Sequence, residues 1–225
     1  MNGGKTAFAL VGLMILAGVF GIAHAAGDAE AGKYKVAVCQ ACHGLDGNGP
    51  ANPMWERYTD QDYRNMAREP VKYKVNPVWP KLAGQNEAYL VRQLSHYRSG
   101  ARKDPIMSGM AAGLSTADIE DIAAYYASQK LVPEPVSTDP AAKLGEELFK
   151  KGKPGMKPCM ECHRASGHGN EKVASIAGQH VAYTRRQLWA FKLEARKTAK
   201  EMAVAASKLN AAEIWALAQY LTGLE

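Results

Sequence analysis

All four cysteines of this 225-residue chain lie in two short segments, Cys39-Gln40-Ala41-Cys42-His43 and Cys159-Met160-Glu161-Cys162-His163. Two thiols separated by two residues, with an imidazole directly after, fit on one helical turn. Both sulfurs can then add to the vinyl groups of one porphyrin while the imidazole reaches its iron from the same face. The chemistry this spacing predicts is covalent haem attachment, once in each segment. Paired cysteines have two other uses, a zinc site and a redox dithiol. The first needs four ligands in plausible pairing and the second needs no histidine, so neither accounts for His43 and His163 together.

The segments belong to a longer repeat, which sets the domain organisation. Ala83-Gly84-Gln85, Tyr89, Gln93-Leu94 and Arg102-Lys103 recur 94 positions later as Ala177-Gly178-Gln179, Tyr183, Gln187-Leu188 and Arg196-Lys197. Two tandem domains are expected, 26–130 and 141–225. Between them, residues 131–140 hold three prolines, which forbids a continuous helix and predicts a semi-rigid extended linker.

Residues 1–25 read as an export signal rather than as part of the fold. Lys5 precedes an apolar run from Ala7 to Ala23, and Ala23-His24-Ala25 suits cleavage after Ala25. Export matches the chemistry, since covalent haem is attached outside the cytoplasm, where a Cys-x-x-Cys pair left without haem would oxidise. The expected location is the periplasm, with membrane attachment if the segment is retained; its 17 apolar residues are at the short limit of a span. Composition fits a globular chain, 47% hydrophobic and 22% charged, and excludes collagen, disorder or a polytopic membrane protein. The formal charge of +6 is interleaved with acids and contains no polybasic run, so no nucleic-acid partner is expected. From Leu131 onward there are 14 basic and 10 acidic residues, a weak bias that would suit an acidic partner.

Haem in each half requires elements to hold it, and the periodicity supplies helices. Ser115-Thr-Ala-Asp118 is a capping box ahead of Ile119, Ile122, Tyr125 and Tyr126, and Asn210-Ala-Ala-Glu213 precedes Ile214, Leu217 and Leu221 in the same way. Helical spacing also runs from Glu87 to Arg98 and from Val181 to Arg196, and Leu144 and Leu148 lie at i, i+4 on one predicted face. No stretch alternates with period two. An all-α fold is expected, in units small enough that a large apolar cofactor helps to form the core.

The sixth iron ligand is approached by elimination. After His163 the second half holds one methionine, Met202, and two further histidines, His168 and His180, neither of which recurs in the first half. In the first half Met54, Met66, Met107 and Met110 compete; the offset of 95 that pairs Ile119 with Ile214 pairs Met107 with Met202. Any one of these methionines could instead be core filler.

With Pro80-Lys-Leu-Ala-Gly-Gln85, Tyr89-Leu-Val-Arg-Gln-Leu94, Ser99-Gly-Ala-Arg102 and Leu114-Ser-Thr-Ala-Asp118-Ile-Glu-Asp-Ile-Ala-Ala-Tyr125, the chain resembles the dihaem cytochrome c4 family over essentially all of residues 26–225. The resemblance implies two tandem class I cytochrome c domains related by a pseudo-twofold axis, with the haem edges facing one another. It implies two covalently bound haem c groups, attached through Cys39, Cys42, Cys159 and Cys162, with His43 and His163 as proximal and Met107 and Met202 as distal ligands. The implied function is electron transport from a quinol-oxidising bc complex to a terminal oxidase or reductase. Six-coordinate haems leave no open position, so no small-molecule substrate and no catalysis are expected. The competing expectation is an electron-accepting subunit of a flavoprotein dehydrogenase, such as a sulfide dehydrogenase, or a catalytic dihaem thiosulfate oxidiser.

Two features depart from that pattern. A proline carbonyl commonly accepts the proximal histidine's Nδ1 proton in class I domains; Pro80 can do so for His43, but its counterpart is Ala174. The first half also carries about 26 extra residues, roughly 52–78, including Trp55, Tyr58, Tyr63 and Tyr73 among Arg57, Arg64, Arg68, Lys72 and Lys74. That insert could be a docking face, a lid over the haem or a self-packed surface elaboration. Arg102 and Arg196 are expected to pair with haem propionates or to belong to a solvated face.

Overall fold

A computed structural model describes Met1 and residues 27–50, 58–68 and 79–225. Residues 2–25 of the export segment and Met54, Trp55, Arg57, Lys72, Tyr73 and Lys74 lie outside the described residues. The described chain is helical, with two isolated bridges, Lys153 with Met156 and Asn170 with Val173, and no sheet. Among the described residues no helix is long and apolar enough to cross a membrane.

The first half consists of α1 (Ala29–Lys35), α2 (Gln40–His43), α3 (Asp60–Arg68), α4 (Glu87–Ser99), α5 (Met107–Ala112) and α6 (Thr116–Ser128). The second repeats most of this as α7 (Ala141–Lys151), α8 (Met160–His163), α9 (Val181–Lys192), α10 (Lys200–Ser207) and α11 (Ala211–Thr222). Local chemistry sets the boundaries. Asp28 caps α1 by accepting from the Glu30 and Ala31 amides, and both capping boxes form as predicted, Ser115 with Asp118 and Asn210 with Glu213.

In each half the first helix crosses the last at a glycine. A Cβ on Gly32 of α1 would stand 2.1 Å from the Asp121 carbonyl oxygen of α6, and one on Gly145 of α7 would stand 2.1 Å from that of Ala216 in α11. Only hydrogen at these positions permits the crossing, so α1 buries Val36 against Ile122 and Tyr126, and α7 buries Leu148 and Phe149 against Leu217 and Leu221. Leu144, expected to share a face with Leu148, is instead 40% exposed, because the crossing point at Gly145 rotates the buried face toward Phe149.

Helix α9 stops at Lys192 rather than running to Arg196. Glu194 adopts a left-handed φ of 54° and the Arg196 amide donates to Ala190 O, as Gly100 (φ 76°) and the bond from Arg102 N to His96 O end α4. This turn brings each arginine back beneath its own helix. The linker is extended and tied to both halves: Val132 N donates to Asn48 Oδ1 (2.9 Å), and Glu134 N to Thr222 O (3.2 Å).

The two halves meet in reciprocal hydrogen bonds across the pseudo-twofold axis. Gln85 Nε2 donates to Ser175 O while Ser175 N donates to Gln85 Oε1, both at 2.7 Å. Gln179 Nε2 donates to Lys81 O (3.0 Å) while Lys81 N donates to Gln179 Oε1 (2.9 Å), at positions related by the same 94-residue offset. The insert crosses this boundary. Its helix α3 lies on α9, burying Tyr63 and Met66 in the core of the second half, with Asp60 Oδ1 accepting from Arg185 Nη2 at 2.8 Å. Arg185 also stacks on Tyr63 (4.1 Å to the ring centroid) and Trp215 (4.8 Å). Through its buried face this part of the insert is a brace between the halves.

Candidate haem sites

Each Cys-x-x-Cys-His segment occupies one helical turn. The His43 amide donates to Cys39 O and the His163 amide to Cys159 O, both at 3.0 Å, so cysteines at i and i+3 share a side with the imidazole at i+4. No disulfide joins the four thiols, and among the described residues no three His, Cys, Asp or Glu side chains converge as a zinc site requires. Burial pushes the Cys159 thiol up to about 11 and raises Cys39 as well.

Both imidazoles are buried and held alike. His43 Nδ1 lies 2.9 Å from Pro80 O, and His163 Nδ1 lies 2.9 Å from Ala174 O. A carbonyl can only accept, so the proton sits on Nδ1 and the Nε2 lone pair is free to coordinate. Burial lowers both pKa values below the usual 6.5, despite the opposing carbonyl bonds, and keeps the rings neutral. Ala174 thus supplies the same acceptor as Pro80. The loop after each histidine closes in the same way, Gly49 N donating to His43 O (2.7 Å) and Gly169 N to His163 O (2.9 Å).

Met107 is the first residue of α5 and Met202 lies in the first turn of α10; both are half-buried, whereas Met110 is exposed and Met66 belongs to the brace. Asp104 Oδ1 accepts from the Ile106 and Met107 amides, both at 3.0 Å, and Oδ2 accepts from Arg186 Nη2 of the other half at 2.8 Å. The second half has no such cap, since Ala199 precedes α10.

Arg102 and Arg196 are only 7% and 8% exposed, which excludes a solvated face. The structure brings them together at the interface. Arg102 donates to Gln93 in its own half and to Tyr183 and Gln187 across the boundary; Arg196 mirrors this with Gln187, Tyr89 and Gln93, all at 2.8 to 3.0 Å. Burial opposes ionisation of Tyr89, but Arg196 and Arg102 outweigh it and draw its pKa below 10. Beside these arginines lies a cavity of about 210 Å³ lined by Met66, Tyr97, Asp104, Arg186 and both guanidinium groups, and Arg196 Nε is buried without a partner.

Sequence reasoning misses Asp104, Arg186, Gln85, Gln179, Asn86 and His180 as interface residues. The duplicated Ala-Gly-Gln is their one available signal, because a repeated glutamine can satisfy a repeated partner across a twofold axis.

The donor set in each half fits a covalently held porphyrin: two unpaired thiols on one turn, a neutral buried imidazole with Nε2 free, and a half-buried methionine in the first turn of a later helix. Two such helical units in tandem define a c-type cytochrome of the class I kind. A cytochrome c family model matches residues 29–130 and 142–225. The chain belongs to the cytochrome c4 family. It is 42% identical to cytochrome c4 of Stutzerimonas stutzeri, over 96% of this chain and 98% of that one. The crystal structure of reduced recombinant cytochrome c4 from Pseudomonas stutzeri superposes with a TM-score of 0.73, at 40% identity, over 89% of this chain and all of that one. The chain is also 33% identical to the thiosulfate dehydrogenase electron acceptor of Thiomonas intermedia, over 83% of this chain and 78% of that one. It therefore carries two covalently bound haem c groups and is an electron carrier.

Proposed function

We propose that this chain accepts electrons from a quinol-oxidising bc complex in the periplasm and delivers them to a terminal oxidase or reductase. Bound haem supplies the redox centre, one electron per iron. The chain's own residues attach, orient and shield it. Cys39 with Cys42, and Cys159 with Cys162, are the thioether anchors. His43 and His163 are the proximal ligands, oriented by the carbonyls of Pro80 and Ala174. Met107 and Met202 are the distal ligands, and a thioether there favours the ferrous state over bis-imidazole ligation. Arg102 and Arg196 are the propionate partners; the cavity beside them and the unpartnered Arg196 Nε support this.

The observation that carries the reading is the duplicated Cys-x-x-Cys-His turn with Nδ1 tied to a carbonyl in both halves. Its test is the ferric sulfur-to-iron charge-transfer band of the holoprotein. Met202→Ala should remove about half the intensity; a variant that keeps the whole band defeats the assignment.

A second reading is favoured by the similarity to a thiosulfate dehydrogenase electron acceptor. Here the chain drains electrons from a dehydrogenase, of the flavoprotein or another class. Rapid reduction by such an enzyme, without reduction by a bc complex, would select it.

A further inference from the structure

We propose that His180 is a positioning residue that tunes the first haem's potential from across the domain boundary by gaining and losing a proton, while Asn86, its counterpart, brings no titrating group to the second. The inference rests on the haem ligation proposed above.

His180 precedes α9 in the second half yet is 5% exposed and reaches into the first. Its Nε2 donates to Gly49 O at 2.9 Å, and Gly49 N donates to His43 O at 2.7 Å. One residue therefore separates His180 from the backbone of the proximal ligand. On the other side of the ring, Nδ1 lies 3.3 Å from Glu134 Oε1 in the linker. Lys81 Nζ reaches that same oxygen at 2.9 Å and donates to Val132 O at 2.6 Å. Lys81 directly follows Pro80, the acceptor for His43 Nδ1. Glu134 and Lys81 are the charged groups facing the ring, and together with Gly49 they bracket His43 from two directions.

The ring cannot satisfy both neighbours when neutral. Gly49 O fixes the proton on Nε2, so the Nδ1 lone pair then faces a carboxylate oxygen, acceptor against acceptor, and this buried nitrogen has no well-directed hydrogen bond. A second proton would resolve the conflict. Burial and the Lys81 ammonium oppose it, and the balance places the pKa below 6.5. Glu134, whose side chain is 39% exposed, gives the buried pair a route to solvent.

The repeat provides an internal control. Asn86, at the equivalent position, crosses the boundary in the opposite direction and donates from Nδ2 to His168 O and Val173 O, both at 3.0 Å. Those carbonyls belong to the loop around His163. An amide does not titrate, so one architecture carries a switchable donor on the first proximal loop and a fixed donor on the second.

The sign follows from charge. A proton on His180 would add positive charge beside the loop that carries His43 and would favour the ferrous state of an iron held there. The first potential should therefore fall as pH rises through the His180 pKa, below 6.5, and the second should not follow that titration. Each tenfold difference in proton affinity between ferric and ferrous states appears as about 59 mV.

The experiment resolves both midpoint potentials of the holoprotein by spectroelectrochemistry between about pH 4.5 and about pH 8, alongside an NMR titration of the His180 imidazole. The wild type should show the first potential sloping where the His180 signal moves and the second without a slope centred there. His180→Asn, which installs the first half's own residue, should remove that slope. Glu134→Gln should shift the slope to lower pH. A slope that survives in His180→Asn, or two potentials that move in parallel, overturns the inference. If these variants retain two haems and the full charge-transfer band, that failure leaves the ligation reading intact; a missing haem or band in the wild type would instead sink the ligation itself.

Discussion

Chemistry at the scale of single residues rests on main-chain acceptors more than on side-chain identity. His43 and His163 find the same 2.9 Å carbonyl, one from proline and one from alanine, so the acceptor is supplied by the path of the loop. The rigid φ of proline is not what holds the ring. Pro80→Ala should therefore leave haem content and the charge-transfer band at wild-type intensity, as checked by visible spectroscopy of the ferric protein. A loss of ligation would show that the proline ring is required. The ligand-bearing residues are legible in the sequence because their spacing is dictated by bond geometry. The residues that hold them are not. Asp104, which accepts two amides at the start of α5, and Arg186, which pairs with it from the other half, follow no spacing rule, because their contact spans 82 positions.

Elements that depend on local signals form where the sequence places them. Ser115 and Asn210 begin α6 and α11 because a short polar side chain and an acid three residues later satisfy amides the helix leaves open. The end of α9 is not legible, since Glu194 takes a backbone conformation that its first-half counterpart, Gly100, adopts more readily. Helix α3 shows the same limit. Its aromatic and basic residues mark an interface, but nothing local says that the surface it covers belongs to the other half. Tyr63 is fully buried there, its pKa pushed up to about 12 by burial, and it bears the Arg185 guanidinium on its ring. Tyr63→Ala should cost about 3 to 5 kcal/mol. Because α3 packs on α9, denaturant titration should show the loss as weakened second-half structure although the substitution lies in the first. An unchanged second half would mean the brace carries no load.

At the scale of the whole molecule, duplication explains both the symmetry and its exceptions. Each Ala-Gly-Gln glutamine bonds in the other half, and each interface arginine bonds a glutamine from both halves and a tyrosine from the opposite one, so the repeated residues complete one another across the axis. The neutral glutamine bonds contribute about 1 kcal/mol each, and those donated by the charged arginines about 1.5 to 3 kcal/mol. Their larger effect is to fix one half's orientation against the other, which an electron carrier with two centres needs. The repeat and its helical periodicity make the all-α fold and the pairing of domains legible in the amino-acid sequence, whereas the way the halves face each other depends on contacts more than 80 positions apart. The central claim is that each half holds one porphyrin through its own cysteine pair. Intact-mass measurement of the matured holoprotein, followed by proteolysis and peptide mapping, tests it most directly. The expected result is two haems per chain, one on the peptide bearing Cys39 and Cys42 and one on that bearing Cys159 and Cys162. A single haem, none, or a disulfide within either pair would contradict it.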